Sequence, residues 1–403
     1  MVFYYIFAAV ILLVQAIVLI EDWRNLIYCI RKYRPQPSKY RPRVALVCPC
    51  KGLDTTFDRN IKSLFSLDYP DYAIFFVVEN TDDHAYQRIN EVIRQNNHNP
   101  SLAQAHLIVA GPAESSSQKV HNLLTVCESL PDDFKALAFV DSDACVKPHF
   151  LTSLVHPLRR KYVGAATGYR WFVPADRRPS TAVLSAMNAF FASLLGPHPW
   201  NSAWGGAMAI RRDVFNRIGL AELWRHAFTD DYSLTRAVKK ADLRIIFVPA
   251  CFVASYEKTS WADLIAFARR QFIITRVGMP RLWLLAVLGI GHFVIAFWVG
   301  LFVTLHLLAA DSPQALYAAI LPIALLATAI LKATVRQVMI FQILPENRRF
   351  LLIPAIIDIF LQPFLAAFSL ICVLSTSFSR VIVWRGIRYV LHDADHTEIQ
   401  KKL

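Results

Sequence analysis

The stretch ALAFVDSDACVKP, residues 136–148, decides how this chain is read. Five apolar residues in a row fit a strand buried on both faces, and the run ends abruptly at Asp141-Ser142-Asp143. Ligands of open α/β sheets bind beyond the carboxyl ends of strands. Two carboxylates one residue apart at such an end can share a hard divalent cation, and oxygen ligands favour Mg2+ or Mn2+ over softer metals. A cation held there offsets the charge of a departing diphosphate, so the spacing points to nucleotide-sugar chemistry. Asp143 is the expected metal ligand, with Asp141 on the metal or on a ribose. The competing reading is a solvated turn.

Outward from this strand, residues 43–257 alternate short β-branched runs with amphipathic segments. RVALVC (43–48), AIFFVVE (73–79), AHLIVA (105–110), YVGAAT (162–167) and RIIFVP (244–249) read as further strands, and 56–66, 83–96, 119–129 and 230–240 as helices. The pattern predicts an α/β domain with a mainly parallel sheet and crossover helices. A second acidic cluster, VVENTDD (77–83), follows a strand, so Glu79, Asp82 and Asp83 are candidates for a base or ribose, or for the first turn of a helix. FTDDYSLTRAVKKA (228–241) opens a helix with Thr229 as its expected cap and Asp230-Asp231 in its first turn. Asp231 is the candidate general base. In GPHPWNSAWGGAM (196–208), Gly205-Gly206 would let backbone approach a ligand, Trp200 and Trp204 would stack on a sugar or line a lipid entrance, and His198 stands beside them.

The flanks differ in character. The chain has 403 residues, 55% of them hydrophobic, and a mean hydropathy of +0.36. Residues 1–20 carry no charge and predict an uncleaved membrane anchor. Residues 21–42 read as a basic linker, whose Arg and Lys residues predict a cytoplasmic domain after them. Residues 258–280 suit an interfacial amphipathic helix, 281–378 a membrane region interrupted by Pro354, Asp358 and Pro363, and 379–403 a basic tail. Which side of the membrane the tail occupies stays open. The formal charge of +13 clusters beside the apolar spans, which points to a bilayer rather than nucleic acid as the charged partner. Seven cysteines form neither a disulfide framework nor a zinc pattern.

Taken in order, VCPCKG (47–52), LDYP (67–70), VENTDD (78–83), KVHNL (119–123), DSD (141–143), HP (198–199), DDY (230–232) and WRGIRY (384–389) resemble membrane glycosyltransferases of the family 2/21 type, specifically the ceramide glucosyltransferase group. The resemblance implies a GT-A-type (Rossmann-like) nucleotide-sugar domain. It also implies inverting transfer of a hexose, glucose in that group, from a UDP-sugar to the hydroxyl of a membrane lipid, ceramide in that group. By this resemblance Asp82 or Asp83 matches the first family aspartate, Asp141 the second and Asp231 the third, the base. Lys51 and Lys119 fall at phosphate-facing positions, and His198 near the substrate. Glu79 joins the nucleotide-sugar set; Trp200, Trp204, Gly205, Gly206 and Asp230 join His198 in the sugar or acceptor set; Asp141 and Asp143 form the metal set. The chain departs from the family at its Arg/Gln-x-x-Arg-Trp motif. FARRQFIITRV (267–277) stands there instead, leaving Arg269, Arg270, Gln271 and Arg276 all as candidates for the diphosphate. The rival expectations are a processive polysaccharide synthase, a polyprenyl-phosphate glycosyltransferase, and a basic membrane scaffold without activity.

Overall fold

The computed structural model describes residues 1–35, 38–96 and 103–402; residues 36 and 37 of the expected linker lie outside the described residues. Eight strands form the central sheet: β1 Val44–Pro49, β2 Tyr72–Val78, β3 Gln104–Val109, β4 Ala136–Val140, β5 Ala144–Cys145, β6 Val163–Pro174, β7 Ala207–Arg211 and β8 Arg244–Glu257. Their order across the sheet is β3-β2-β1-β4-β7-β6-β8-β5. β1 is buried along most of its length because its alternate side chains enter different cores. Val44, Leu46 and Cys48 pack with Phe57 and Ile61 on one face, while Ala45 and Val47 meet Val120 and Leu123 on the other.

The α/β class and the mainly parallel sheet are as expected: four of the seven strand pairings are parallel, the long β6–β8 pairing among them, and three antiparallel pairings make the sheet mixed. β3, β2, β1 and β4 pair in parallel, whereas β7 is antiparallel to both β4 and β6. β7 is absent from the strands expected from sequence, because its short Ala-Met-Ala-Ile run sits directly after Gly205-Gly206. β8 is longer than its sequence signal. Pro249 removes a ladder donor and ends the apparent run. The pairing with β6 nevertheless resumes beyond it, jumping from Thr167↔Phe247 to Tyr169↔Phe252. At this irregularity a side chain on Gly168 would collide with the Cys251 carbonyl.

Among the described residues three helices are long and apolar enough to cross a membrane: Val2–Lys32, Pro280–Ala309 and Ala315–Ile343. The first continues to Lys32, so residues 21–32 extend the apolar helix instead of forming a linker. Lys332 and Arg336 lie within the third helix, and Arg336 is buried. Pro345–Phe360 and Gln362–Leu374 make a pair bent by 87°. The break falls beside Pro363, which cannot donate to the preceding turn. Buried Asp358 there accepts from Arg336 Nε at 2.6 Å, Gln337 Nε2 at 2.7 Å and Gln362 Nε2 at 2.6 Å.

The helix Trp261–Gly278 starts with a capping box, in which the Ser260 side chain accepts from the Asp263 N–H and Asp263 returns a bond to the Ser260 backbone. The expected basic tail instead folds as an antiparallel sheet of β9 Val381–Trp384, β10 Ile387–Leu391 and β11 Thr397–Lys402. Arg385 and Gly386 join β9 to β10 with φ of 50° and 74°, the pair of positive values that a two-residue hairpin turn requires. Ile382, Ile387, Tyr389 and Leu391 anchor this sheet against Phe228 and Ile273, and the Tyr389 hydroxyl accepts from the Gln118 N–H at 3.3 Å.

Candidate active site

The carboxyl end of β4 delivers Asp141 and Asp143 into a cavity of about 1360 Å³. Asp141 pairs with Lys119 at 2.7 Å, and the same ammonium lies 3.3 Å from Asp230. Burial alone would push the Lys119 ammonium down, but Asp141, Asp230 and Asp231 outweigh it and raise it above its ordinary value. Asp230 is buried, and burial holds its carboxyl above the usual range, opposed by Lys119.

Asp143 sits deeper. Its Oδ2 accepts from Ser255 Oγ at 3.1 Å and lies 3.9 Å from Arg170. Among the described residues its Oδ1 is buried without a hydrogen-bond partner, as is Arg170 Nε. Burial first, and then the charge of Asp141, pushes the Asp143 carboxyl up to about 6. A buried carboxylate oxygen with nothing to bind, beside a second carboxylate, fits a hard divalent cation. Among the described residues no group of three or more His, Cys, Asp or Glu side chains gathers as a complete metal cage. Two carboxylates still suit Mg2+ or Mn2+, because such ions take much of their shell from phosphates and water.

Asp231 faces the same cavity from the first turn of the helix Asp230–Lys240. The Tyr232 N–H donates to its Oδ1 at 2.7 Å and the Gly205 N–H to its Oδ2 at 3.2 Å. Burial, and next the charge of Asp230, raises it to about 7. A carboxylate oriented by two backbone donors and titrating near neutrality is suited to take up a proton. Thr229 occupies the cap position of this helix, but its side chain makes no capping bond, so the expected cap is absent. The glycine pair acts differently from its sequence reading. A Cβ on Gly205 would collide with the Asp230 carboxylate, and one on Gly206 with the Trp204 ring. The two glycines therefore make room for these side chains.

The remaining expected residues separate into two groups. Lys51, His198, Trp200, Trp204, Arg270 and Gln271 line the cavity. His198 Nε2 bonds the Leu194 carbonyl at 2.9 Å, and the Trp200 ring is 75% exposed. Glu79 is drawn into a 2.6 Å ion pair with Lys51. Asp83 accepts from the N–H groups of Gly52 and Ala85, both at 2.8 Å, and so holds a loop and a helix start. Asp82 is exposed to solvent outside the cavity wall. Arg269 and Arg276 donate to the carbonyls of Ser375 and Ser379 at 3.0 and 2.6 Å. Of the four candidates in 269–276, Arg270 and Gln271 are the two that line the cavity.

Charged lining residues that escaped the sequence reading include Asp54, Arg170, Glu257 and Arg385. Glu257 ends β8 and would have been found as a strand-end acid had that strand been followed past Pro249. Burial, then Asp143, raises it to about 7. Arg385, on the β9–β10 turn, bonds Asp54. Arg270 has no hydrogen bond or ion pair among the described residues and lies over the rings of Phe267 and Trp384, at 5.4 and 5.9 Å. Burial and its neighbours Arg170 and Arg385 depress it to about 10. Three guanidiniums crowded this closely make a place for a polyanion.

The family model described as glycosyl transferase family 21 matches residues 3–396. Among solved structures, the mannosyltransferase PcManGT from Pyrobaculum calidifontis, in complex with GDP-Man and Mn2+, is similar at 17% identity and TM-score 0.44, over 91% of this chain and 99% of that one. Glucosyl-3-phosphoglycerate synthase from Mycobacterium tuberculosis, with Mn2+ and UDP-glucose, is similar at 15% identity and TM-score 0.38, over 60% of this chain and 82% of that one. GalNAc-T7 with UDP, GalNAc and Mn2+ is similar at 12% identity and TM-score 0.42, over 58% and 51%.

Proposed function

Since the chain belongs to glycosyl transferase family 21, we propose that it moves a hexose, glucose by the family resemblance, from a UDP-sugar to the hydroxyl of a membrane lipid of the ceramide type, with inversion. One observation carries this reading. A single cavity is lined both by Asp141, Asp143 and Asp231 and by Leu285, Gly289 and Phe293 of an apolar helix long enough to cross a membrane. A water-soluble donor and a membrane-dissolved acceptor have to meet in such a place.

The donor diphosphate lies between the Asp141–Asp143 end of β4 and the guanidiniums of Arg170, Arg270 and Arg385. A divalent ion, Mg2+ or Mn2+, would be held by Asp143 and Asp141 and, when bound, supplies positive charge to the leaving diphosphate. Arg270 offers charge already free of a carboxylate partner. Lys119 keeps Asp141 and Asp230 in place. Beside them Asp231 accepts the proton of the acceptor hydroxyl while the hydroxyl oxygen bonds the anomeric carbon. The bond from that carbon to the diphosphate breaks, and its electron pair leaves with UDP. His198, Trp200 and Trp204 border the sugar and acceptor. The basic residues at the end of the first helix, Arg24, Arg31 and Lys32, favour a cytoplasmic catalytic domain.

The test uses the full chain in lipid nanodiscs with labelled UDP-glucose, Mn2+ and ceramide, read by mass spectrometry. One hexose added per lipid is expected, with none when the divalent ion is chelated. Hexose polymer, or UDP release with no sugar on any lipid, would overturn the assignment.

A further inference from the structure

The membrane half of the cavity is not uniformly apolar. Gln15, Asp22, His292 and Lys332, from three different apolar helices, line it together. Polar groups on such helices are costly and are kept where they meet one another or a ligand. Gln15 Nε2 lies 2.8 Å from His292 Nε2, and His292 Nδ1 lies 3.2 Å from the Leu288 carbonyl. The carbonyl can only accept, so Nδ1 carries the ring proton and Nε2 receives the Gln15 amide. Lys332 Nζ reaches Gln15 Oε1 at 3.5 Å and stands 3.7 Å from Asp22.

A second polar pair nearby shows what a purely structural pair looks like. Arg336 and Asp358 meet two-pronged, their side chains are 6% and 0% exposed, and two glutamines close the remaining valences. Asp22 and Lys332 are different. They form a looser ion pair at 3.7 Å, with Arg336 as a second charge near Asp22, and both side chains keep 15–18% exposure. An ammonium has three N–H donors and a carboxylate about four acceptor sites. The pair leaves some of these unused where it lines the cavity.

We propose that this wall is a head-group subsite for the acceptor, and that it selects an uncharged lipid with an amide or hydroxyl in addition to the hydroxyl that receives the sugar. The inference rests on the transferase reading above. Two features define the ligand. The wall is electrically balanced, Lys332 against Asp22, Arg336 against Asp358, and the neighbouring Glu21 against Arg24, so it offers no net positive charge to a phosphate. It is also extended: Gln15 and Asp22 are seven residues apart on one helix, about 10 Å along the axis. A single terminal hydroxyl cannot use both ends. An N-acylated amino alcohol or a polyhydroxylated chain can, whereas a simple long-chain alcohol, a diacylglycerol or a polyprenyl phosphate cannot.

The experiment uses the full chain in nanodiscs with ceramide, 3-O-methylceramide, diacylglycerol, a long-chain alcohol and a polyprenyl phosphate as alternative acceptors. Ceramide is expected to be preferred at least tenfold over the last three, with a loss on methylation. Gln15→Leu should raise the ceramide KM about tenfold, the size of one lost hydrogen bond, while the UDP-sugar KM moves less than twofold. The paired variant Asp22→Asn with Lys332→Met keeps the wall neutral and guards against misfolding; it should raise the acceptor KM likewise. Equal use of diacylglycerol or polyprenyl phosphate, or an unchanged ceramide KM in both variants, would overturn the subsite while leaving sugar transfer intact. Absence of transfer to every lipid in the wild type would remove the transferase reading and this inference with it.

Discussion

Replacing Asp231 with asparagine should remove activity and, at high pH, make the protein more stable. The folded chain raises this carboxyl from 3.8 to about 7, first by burial and then by the charge of Asp230. Between those values the folded form keeps a proton that the unfolded form has lost. Folding therefore carries no penalty from Asp231 below about pH 4 and loses stability as pH rises to 7. At about 1.36 kcal/mol per unit the full loss is about 4 kcal/mol. Water in the open cavity screens part of it, leaving about 2 kcal/mol. Asparagine keeps the shape, cannot ionise, and escapes the loss. For a catalytic domain of this size the variant should unfold roughly 4–8 °C above wild type at pH 8, and at the same temperature as wild type at pH 4. Transfer should fall by roughly 10² to 10⁴, and wild-type turnover should drop tenfold per unit below about pH 7. Thermal unfolding and labelled-lipid turnover at both pH values read all of this. Equal unfolding temperatures at pH 8, or retained turnover, would refute the placing of a strained base at 231.

Other expectations concern separate parts of the cavity. Arg270→Ala and Arg385→Ala should each raise the UDP-sugar KM about tenfold and weaken inhibition by UDP, as steady-state kinetics would show. Asp143→Asn should abolish the response of turnover to added Mn2+ and the binding of Mn2+ with UDP in calorimetry. Gly205→Ala forces Asp230 and Lys119 apart, and should lower the unfolding temperature by several degrees along with activity. Ser260→Ala should cost about 1 kcal/mol through loss of its capping bonds. Thr229→Ala, whose hydroxyl caps nothing, should change the unfolding temperature by less than the Ser260 variant does.

Much of the architecture was legible because burial writes itself as runs. β4 and its acidic end could be read directly, since a strand covered on both faces is continuously apolar and its exit into the cavity is abruptly charged. The long apolar helices were equally plain. What stayed hidden depended on contacts between distant segments. Arg170 lies mid-strand in β6, and its approach to Asp143 follows from the register jump opposite Val248–Cys251 in β8, which no local pattern announces. Arg385 and Gly386 do carry a hairpin signal between VIVW and IRYVL. The basic composition around them obscured it, because charge suggests a solvated tail unless the packing of Ile387 and Tyr389 is known. Asp83 and Asp141 looked alike as strand-end acids. Backbone N–H groups around Asp83, against a lysine and an open cavity beside Asp141, set them apart.

The hairpin that carries Arg385 comes after every apolar helix in chain order, yet it supplies part of the wall next to Asp54 at the opposite end of the catalytic domain. The pocket is thus closed by a sheet synthesised after those helices. A chain stalled midway through membrane insertion would present its aspartates and lysines without that wall. Completion of the pocket is in this way tied to synthesis of the chain beyond those helices.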